Sequence, residues 1–200
     1  MRDFAGCFFE PWVGQEYGAG SQHLRLMLLG KSHYGDYIAP DARVFTSEVV
    51  KRYAVDGPTI SYFTIAYRAA TGKPIPGADE RQAFWHSVAF YNYVQCYVGT
   101  GPRQRPTPSD WATGRLPFAK TIDELAPHCV LVLGRELLWH VQNDQALVRT
   151  RNADVFTYES PSGKRATVGG IKHPTGGFSY ARWRPTVEAM FATALTCRDA

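Results

Sequence analysis

The stretch that most constrains the fold is Leu24-Arg25-Leu26-Met27-Leu28-Leu29-Gly30, followed at once by Lys31-Ser32-His33-Tyr34-Gly35-Asp36. A near-continuous apolar run this short reads as a β-strand buried on both faces, because a strand with one wet face would alternate. Its abrupt end in Gly and polar or aromatic residues is how a ligand site begins. In open α/β sheets, ligands collect outside the carboxyl ends of the strands, where a Gly lets the backbone approach them closely. Two later runs repeat the pattern: His128-Cys129-Val130-Leu131-Val132-Leu133 ends at Gly134, and Thr167-Val168-Gly169-Gly170-Ile171-Lys172 delivers His173-Pro174-Thr175-Gly176-Gly177. Three strand ends are expected to face one cleft.

Helical patterns fill the intervals. Thr46-Ser47-Glu48 is expected to cap a helix from about Glu48 to Val55, stopped by Asp56-Gly57-Pro58. Helical spacing follows over Thr59 to Thr71 and again from Gly77 to about Ser87, and Val88 to Cys96 is aromatic and β-branched enough for a strand, with Asn92 inside it. Beyond a Gly/Pro/Arg loop, Ser109-Asp110 opens a helix, Thr121 to Ala126 continues helical until Pro127, and Arg135 to Val141 is a short helix after Gly134. A polar loop or edge hairpin over Asn143 to Gly163 precedes the Thr167 strand, and the last helix runs from Ser179 to about Cys197. Helices between apolar strands argue for an α/β fold with a mainly parallel sheet covered on both faces. A chain of 200 residues with 44% hydrophobic content suits one domain over 1–200. Residues 1–23, broken by Pro11, Gly14, Gly18 and Gly20, read as an irregular lead-in whose Phe4, Phe8, Phe9 and Trp12 cover part of the core.

Composition excludes more than it selects. The net charge of +4 favours an anionic partner only weakly. The four cysteines (Cys7, Cys96, Cys129, Cys197) form no CxxC, which points away from a disulfide framework or zinc site and towards reduced thiols in the cytosol. With neither a targeting segment nor a long apolar run, a cytoplasmic protein without membrane association is expected, and a bacterial cytoplasm fits.

Ser32, His33, Tyr34, Phe45, Asn92 and His173 together offer an aromatic face, an amide that donates and accepts, and an imidazole. Recognition of a flat heterocycle with mixed donor and acceptor edges needs those groups. Each also has a plain reading: Phe45 as a staple to the core, Asn92 satisfying a strand edge, His173 as a turn residue before Pro174. Arg103 and Arg105 are phosphate contacts or ordinary surface charge.

Taken in order, these segments resemble the uracil-DNA glycosylase superfamily from Leu24 to the last helix. Gly30-Lys31-Ser32-His33-Tyr34 matches its Gly-led water-activating motif with a pocket-closing Tyr. Phe45 matches its stacking Phe, and Asn92 in Phe90-Tyr91-Asn92-Tyr93 its base-reading Asn. Gly101 to Pro108 matches an Arg/Pro-rich stretch, and His173-Pro174-Thr175-Gly176-Gly177-Phe178-Ser179 a His-Pro-Ser motif with an intercalating loop. The resemblance implies a three-layer α/β/α sandwich with a short, mainly parallel central sheet, and a monomeric DNA glycosylase that excises uracil from single- or double-stranded DNA in base excision repair. It further implies that Asn92 reads the base edge, with Gly30 and Lys31 at the pocket, Phe45 stacking and Tyr34 excluding the thymine methyl. His173 then supports the departing anionic base, and Phe178 is the wedge among DNA contacts that include Thr175, Ser179, Arg103 and Arg105.

Two departures shape the expectations. Relatives place Asp, Asn or Glu in the first motif, where this chain has Lys31 and Ser32, so water falls to Ser32, His33 or Asp36, mostly by positioning. Some relatives bind an iron-sulfur cluster through four Cys; Cys96 falls where one ligand would, but its partners are absent, so neither metal nor cofactor is expected. The altered motif leaves two alternatives, a glycosylase for another deaminated base such as hypoxanthine, or a nucleic-acid-binding relative without catalysis.

Overall fold

The computed structural model describes residues 2–20, 23–35, 41–101, 104–152 and 154–198. The strands are β1 (Trp12–Val13), β2 (Leu26–Gly30), β3 (Ala89–Asn92), β4 (Cys129–Leu133), β5 (Val148–Arg149), β6 (Val155–Glu159) and β7 (Arg165–Ile171). They form one sheet in the order β1-β3-β2-β4-β7-β6-β5. The central strands β3, β2, β4 and β7 are parallel, and β1, β6 and β5 add antiparallel edges.

Alternation along the buried strands decides the layers. Leu26 and Leu28 of β2, with Phe90, Leu131 and Ile171, face α1 (Phe45–Val50), α2 (Ser61–Thr71), α3 (Ala78–Ser87) and α7 (Tyr180–Arg198) through Val50, Phe63, Trp85, Val187 and Met190. Met27 and Leu29, with Tyr91, Val130 and Val132, face α4 (Pro108–Ala112), α5 (Arg115–Leu125) and α6 (Arg135–Asp144) through Trp111, Phe118, Ile122 and Leu138. Met27, Leu28 and Leu29 are fully buried, and burial of each such side chain stabilises by about 1.5–3 kcal/mol. In β7, a Cβ on Gly169 would lie 2.8 Å from Met190 Sδ, and one on Gly170 would collide with Leu138. Bare backbone at these positions lets α7 and α6 close on the two faces of the same strand.

The connections diverge at β2. From β2 the chain passes through α1, α2 and α3 on one face to β3, then through α4 and α5 on the other face to β4, on the opposite side of β2. Crossovers that diverge in this way leave a gap at the carboxyl ends of the strands.

Several expectations are corrected. The lead-in contributes a short strand, β1, paired with β3, and its Phe8 is 48% exposed rather than in the core. The helix expected from Glu48 starts at Phe45, because a tight turn over Ala42–Val44, capped by Asp41, winds directly into it; one wider turn over Lys51–Val55 extends it. Thr46 is therefore inside the helix and does not cap it. The third strand stops at Asn92 instead of running to Cys96, since Tyr93 and Val94 bend across to donate backbone hydrogen bonds to Gly30 and Lys31. All four cysteines are free, and no helix among the described residues is long and apolar enough to cross a membrane.

Candidate active site

Ending β3 at Asn92 puts that residue opposite Gly30 at the carboxyl edge. A Cβ on Gly30 would collide with Asn92 Oδ1 and would lie 2.9 Å from Phe90 Cζ and 3.1 Å from Tyr62 Oη. The amide thus crosses the end of β2 in space that only Gly leaves free. Its Nδ2 donates to His33 Nε2 at 3.1 Å, and the Thr46 hydroxyl stands 3.0 Å from the same nitrogen. His33 is 6% exposed, Thr46 fully buried and Asn92 5% exposed. Burial pushes the His33 pKa down to about 3, so the ring is neutral and Nε2 is free to accept.

Aromatic rings close one side of this triad. The Phe45 ring meets His33 edge to face at 4.9 Å, and Phe9 packs on the same imidazole at 4.7 Å. Tyr97 touches both Phe9 and Phe45. Phe45 remains half-buried.

His173, two residues beyond β7, lies beside Gly134 and against the Tyr62 ring at 5.4 Å. Its pKa is lowered, first by burial and then by the neighbouring Lys31, with Glu136 acting the other way. Lys31 Nζ in turn bonds Glu136 Oε2 at 3.1 Å. Tyr62 links the two halves, since its hydroxyl lies over Gly30 near Asn92 and its ring meets His173; burial pushes its phenol up, so it stays protonated.

The edge therefore gathers Gly30, Lys31, His33, Phe45, Asn92 and His173. Phe45 and His173 do not touch directly; they are connected through His33, Asn92 and Tyr62. Ser32 is half-buried in the turn between Gly30 and His33. His33, a candidate for handling water, is enclosed and has its Nε2 engaged, so its evident work is to orient Asn92. Tyr34, expected to close the pocket, is 53% exposed and bonds to none of Phe45, Asn92 and His173 among the described residues. Asp36 and Arg103 lie outside the described residues. Arg105 is exposed, as is Thr175, whose hydroxyl reaches the His173 carbonyl at 3.4 Å. The Ser179 hydroxyl accepts from Arg182 N at 3.4 Å at the start of α7, and Phe178 is half-buried against Tyr180.

No protein-family model and no curated protein matches the chain.

Residues of the edge that the sequence did not single out are Tyr62, Thr46 and Glu136. Thr46 carried a cap signal that hid its inward role. Tyr62 is in phase with Ala66 and Ala69 and reads as core. Glu136 had a usable signal, a carboxylate in the first turn of a helix that follows a buried strand and its Gly. Chemically, the edge combines a fixed amide, a neutral imidazole at its rim and one ion pair. Among the described residues no group of three or more His, Cys, Asp or Glu is placed to hold a metal ion.

Proposed function

We propose that the chain is a DNA N-glycosylase of the uracil-DNA glycosylase kind, on that superfamily's three-layer fold, hydrolysing the bond between a deaminated base and its sugar once the nucleotide has been extruded from the strand. The observation that carries the reading is the Asn92 amide tied to His33 across the end of β2, with His173 on the far side of Tyr62. With one Nδ2–H engaged, Asn92 presents Oδ1 as a fixed acceptor and the second Nδ2–H as a donor, a match for the N3–H and O4 of uracil. Phe45 offers its half-buried ring for stacking.

Bond cleavage leaves a cationic sugar and an anionic base. A neutral His173 carries one N–H, and burial and Lys31 keep it from being charged before the reaction. Such a donor gains strength as negative charge develops on the base, which is where a preorganised hydrogen bond accelerates the step. Water positioning falls to Ser32, with Glu136 as a carboxylate bonded to the first motif through Lys31.

Replacing Asn92 or His173 by Ala is expected to lower the rate of excision from a single-stranded uracil oligonucleotide by about 10²–10³; undiminished rates would overturn the assignment. One feature supports a second base as well: the fixed Oδ1 acceptor also suits the N1–H of hypoxanthine. A panel of lesion-bearing oligonucleotides separates the two, and DNA binding without abasic sites would identify a non-catalytic relative.

A further inference from the structure

The two ends of an amide have opposite hydrogen-bonding character, so the polarity in which Asn92 is held decides which base edge it can meet. Two contacts fix that polarity. Nδ2 donates to His33 Nε2 at 3.1 Å. Oδ1 lies where a Cβ on Gly30 would collide with it, so a Cα–H of Gly30 points at the oxygen, a weak but matched contact. Turned over, the amide would set N–H against that C–H and an oxygen lone pair against the lone pair of Nε2.

The second of these conflicts exists only while Nε2 carries no proton. Burial keeps the ring neutral, with a single N–H. The opposite tautomer, protonated at Nε2, would require Oδ1 as its partner and would reverse the amide. The Thr46 hydroxyl, 3.0 Å from the same nitrogen, can donate or accept and so serves either tautomer. Nor can the imidazole turn aside. Phe9 and Phe45 meet it edge to face at 4.7 and 4.9 Å, and its backbone carbonyl accepts from Val98 N at 2.9 Å.

We propose that His33 is the specificity-determining positioning residue of this site: as a hydrogen-bond acceptor it holds Asn92 in the polarity that takes a base edge with a ring N–H beside an exocyclic carbonyl. Uracil and hypoxanthine carry that edge. Cytosine and adenine carry the reverse, a bare ring nitrogen beside an amino group, and would set a lone pair against Oδ1 and an N–H against Nδ2. The inference rests on the glycosylase reading in taking a base as the ligand, but it concerns selection and not bond cleavage, and the test separates the two.

The test uses the full chain with His33→Phe, which keeps an aromatic ring beside Phe9 and Phe45 but removes the acceptor, and His33→Gln, whose Oε1 restores one. Thermal melting is titrated with free uracil and with free cytosine, a readout that needs no catalysis, and excision from a single-stranded uracil oligonucleotide is followed in parallel. The parent should bind uracil about 10–100-fold more tightly than cytosine. His33→Phe should bring that ratio close to unity, and His33→Gln should restore part of it. A purely structural role would lower the melting temperature without base and leave the ratio unchanged. If His33→Phe keeps the parent's ratio, if His33→Gln restores none of it, or if neither base shifts the parent's melting, the inference is overturned, and the excision rate alone decides the glycosylase reading. If the ratio depends on His33 as expected while no abasic site forms, His33 stands as the selector of a base-binding site and the glycosylase reading falls.

Discussion

The two ends of the sheet make an instructive contrast. At the amino ends lies a cavity of 980 Å³ between residues 15–20 and 23–26, the last turns of α2, the length of α3, and α7. Its cations are already neutralised, with Lys73 on Glu80 at 2.8 Å and Arg184 on Glu188 at 2.6 Å. At the carboxyl ends, buried polar groups from four separated segments meet: His33, Thr46, Asn92 and Tyr62. Volume measures how far helices splay, whereas a site needs polar groups whose pairing is fixed by the fold and left open to a ligand. The diverging crossovers at β2 create that condition at the carboxyl end.

The largest effects that would sharpen or break this contrast are kinetic. Asn92→Ala and His173→Ala should each cost about 10²–10³ in single-turnover excision, while Lys73→Ala at the opposite end should leave the rate unchanged. A comparable loss from Lys73→Ala would show that the two ends are not distinct.

Acid should weaken the carboxyl end next. The unfolded chain protonates His33 near its ordinary pKa of 6.5, and the folded chain not until about 3. The unfolded state thus binds more protons between these values, and the stability present above 6.5 is lost as pH falls through this window. About 2 kcal/mol should be gone by about pH 5, and His173, also lowered, acts in the same direction. Urea unfolding at two pH values reads this directly, and His33→Phe should remove most of the difference.

A third comparison uses glycine. Gly30→Ala drives a Cβ into Asn92 Oδ1; it should destabilise by about 1–3 kcal/mol and abolish excision by displacing the amide. Gly77→Ala, at the start of α3 where a Cβ meets nothing within 4 Å, should change stability by less than about 0.5 kcal/mol. Thr46→Val, which removes one hydroxyl from His33 Nε2, should cost about 1 kcal/mol in chemical unfolding.

The amino-acid sequence alone determined the buried strands, the helices between them and the edge at which the polar motifs end. Those follow from local apolar runs, from alternation, and from Gly where a strand must stop or let backbone approach. Asn92, Phe45 and His173 were legible as candidates because each sits near such an end. Only the tertiary structure decided that His33 is a buried partner of Asn92, that Thr46 faces inward, and that Tyr62 and Glu136 belong to the edge. The reason is that hydrogen bonds between residues 13 or 59 positions apart depend on crossover direction and strand register, which no local pattern encodes.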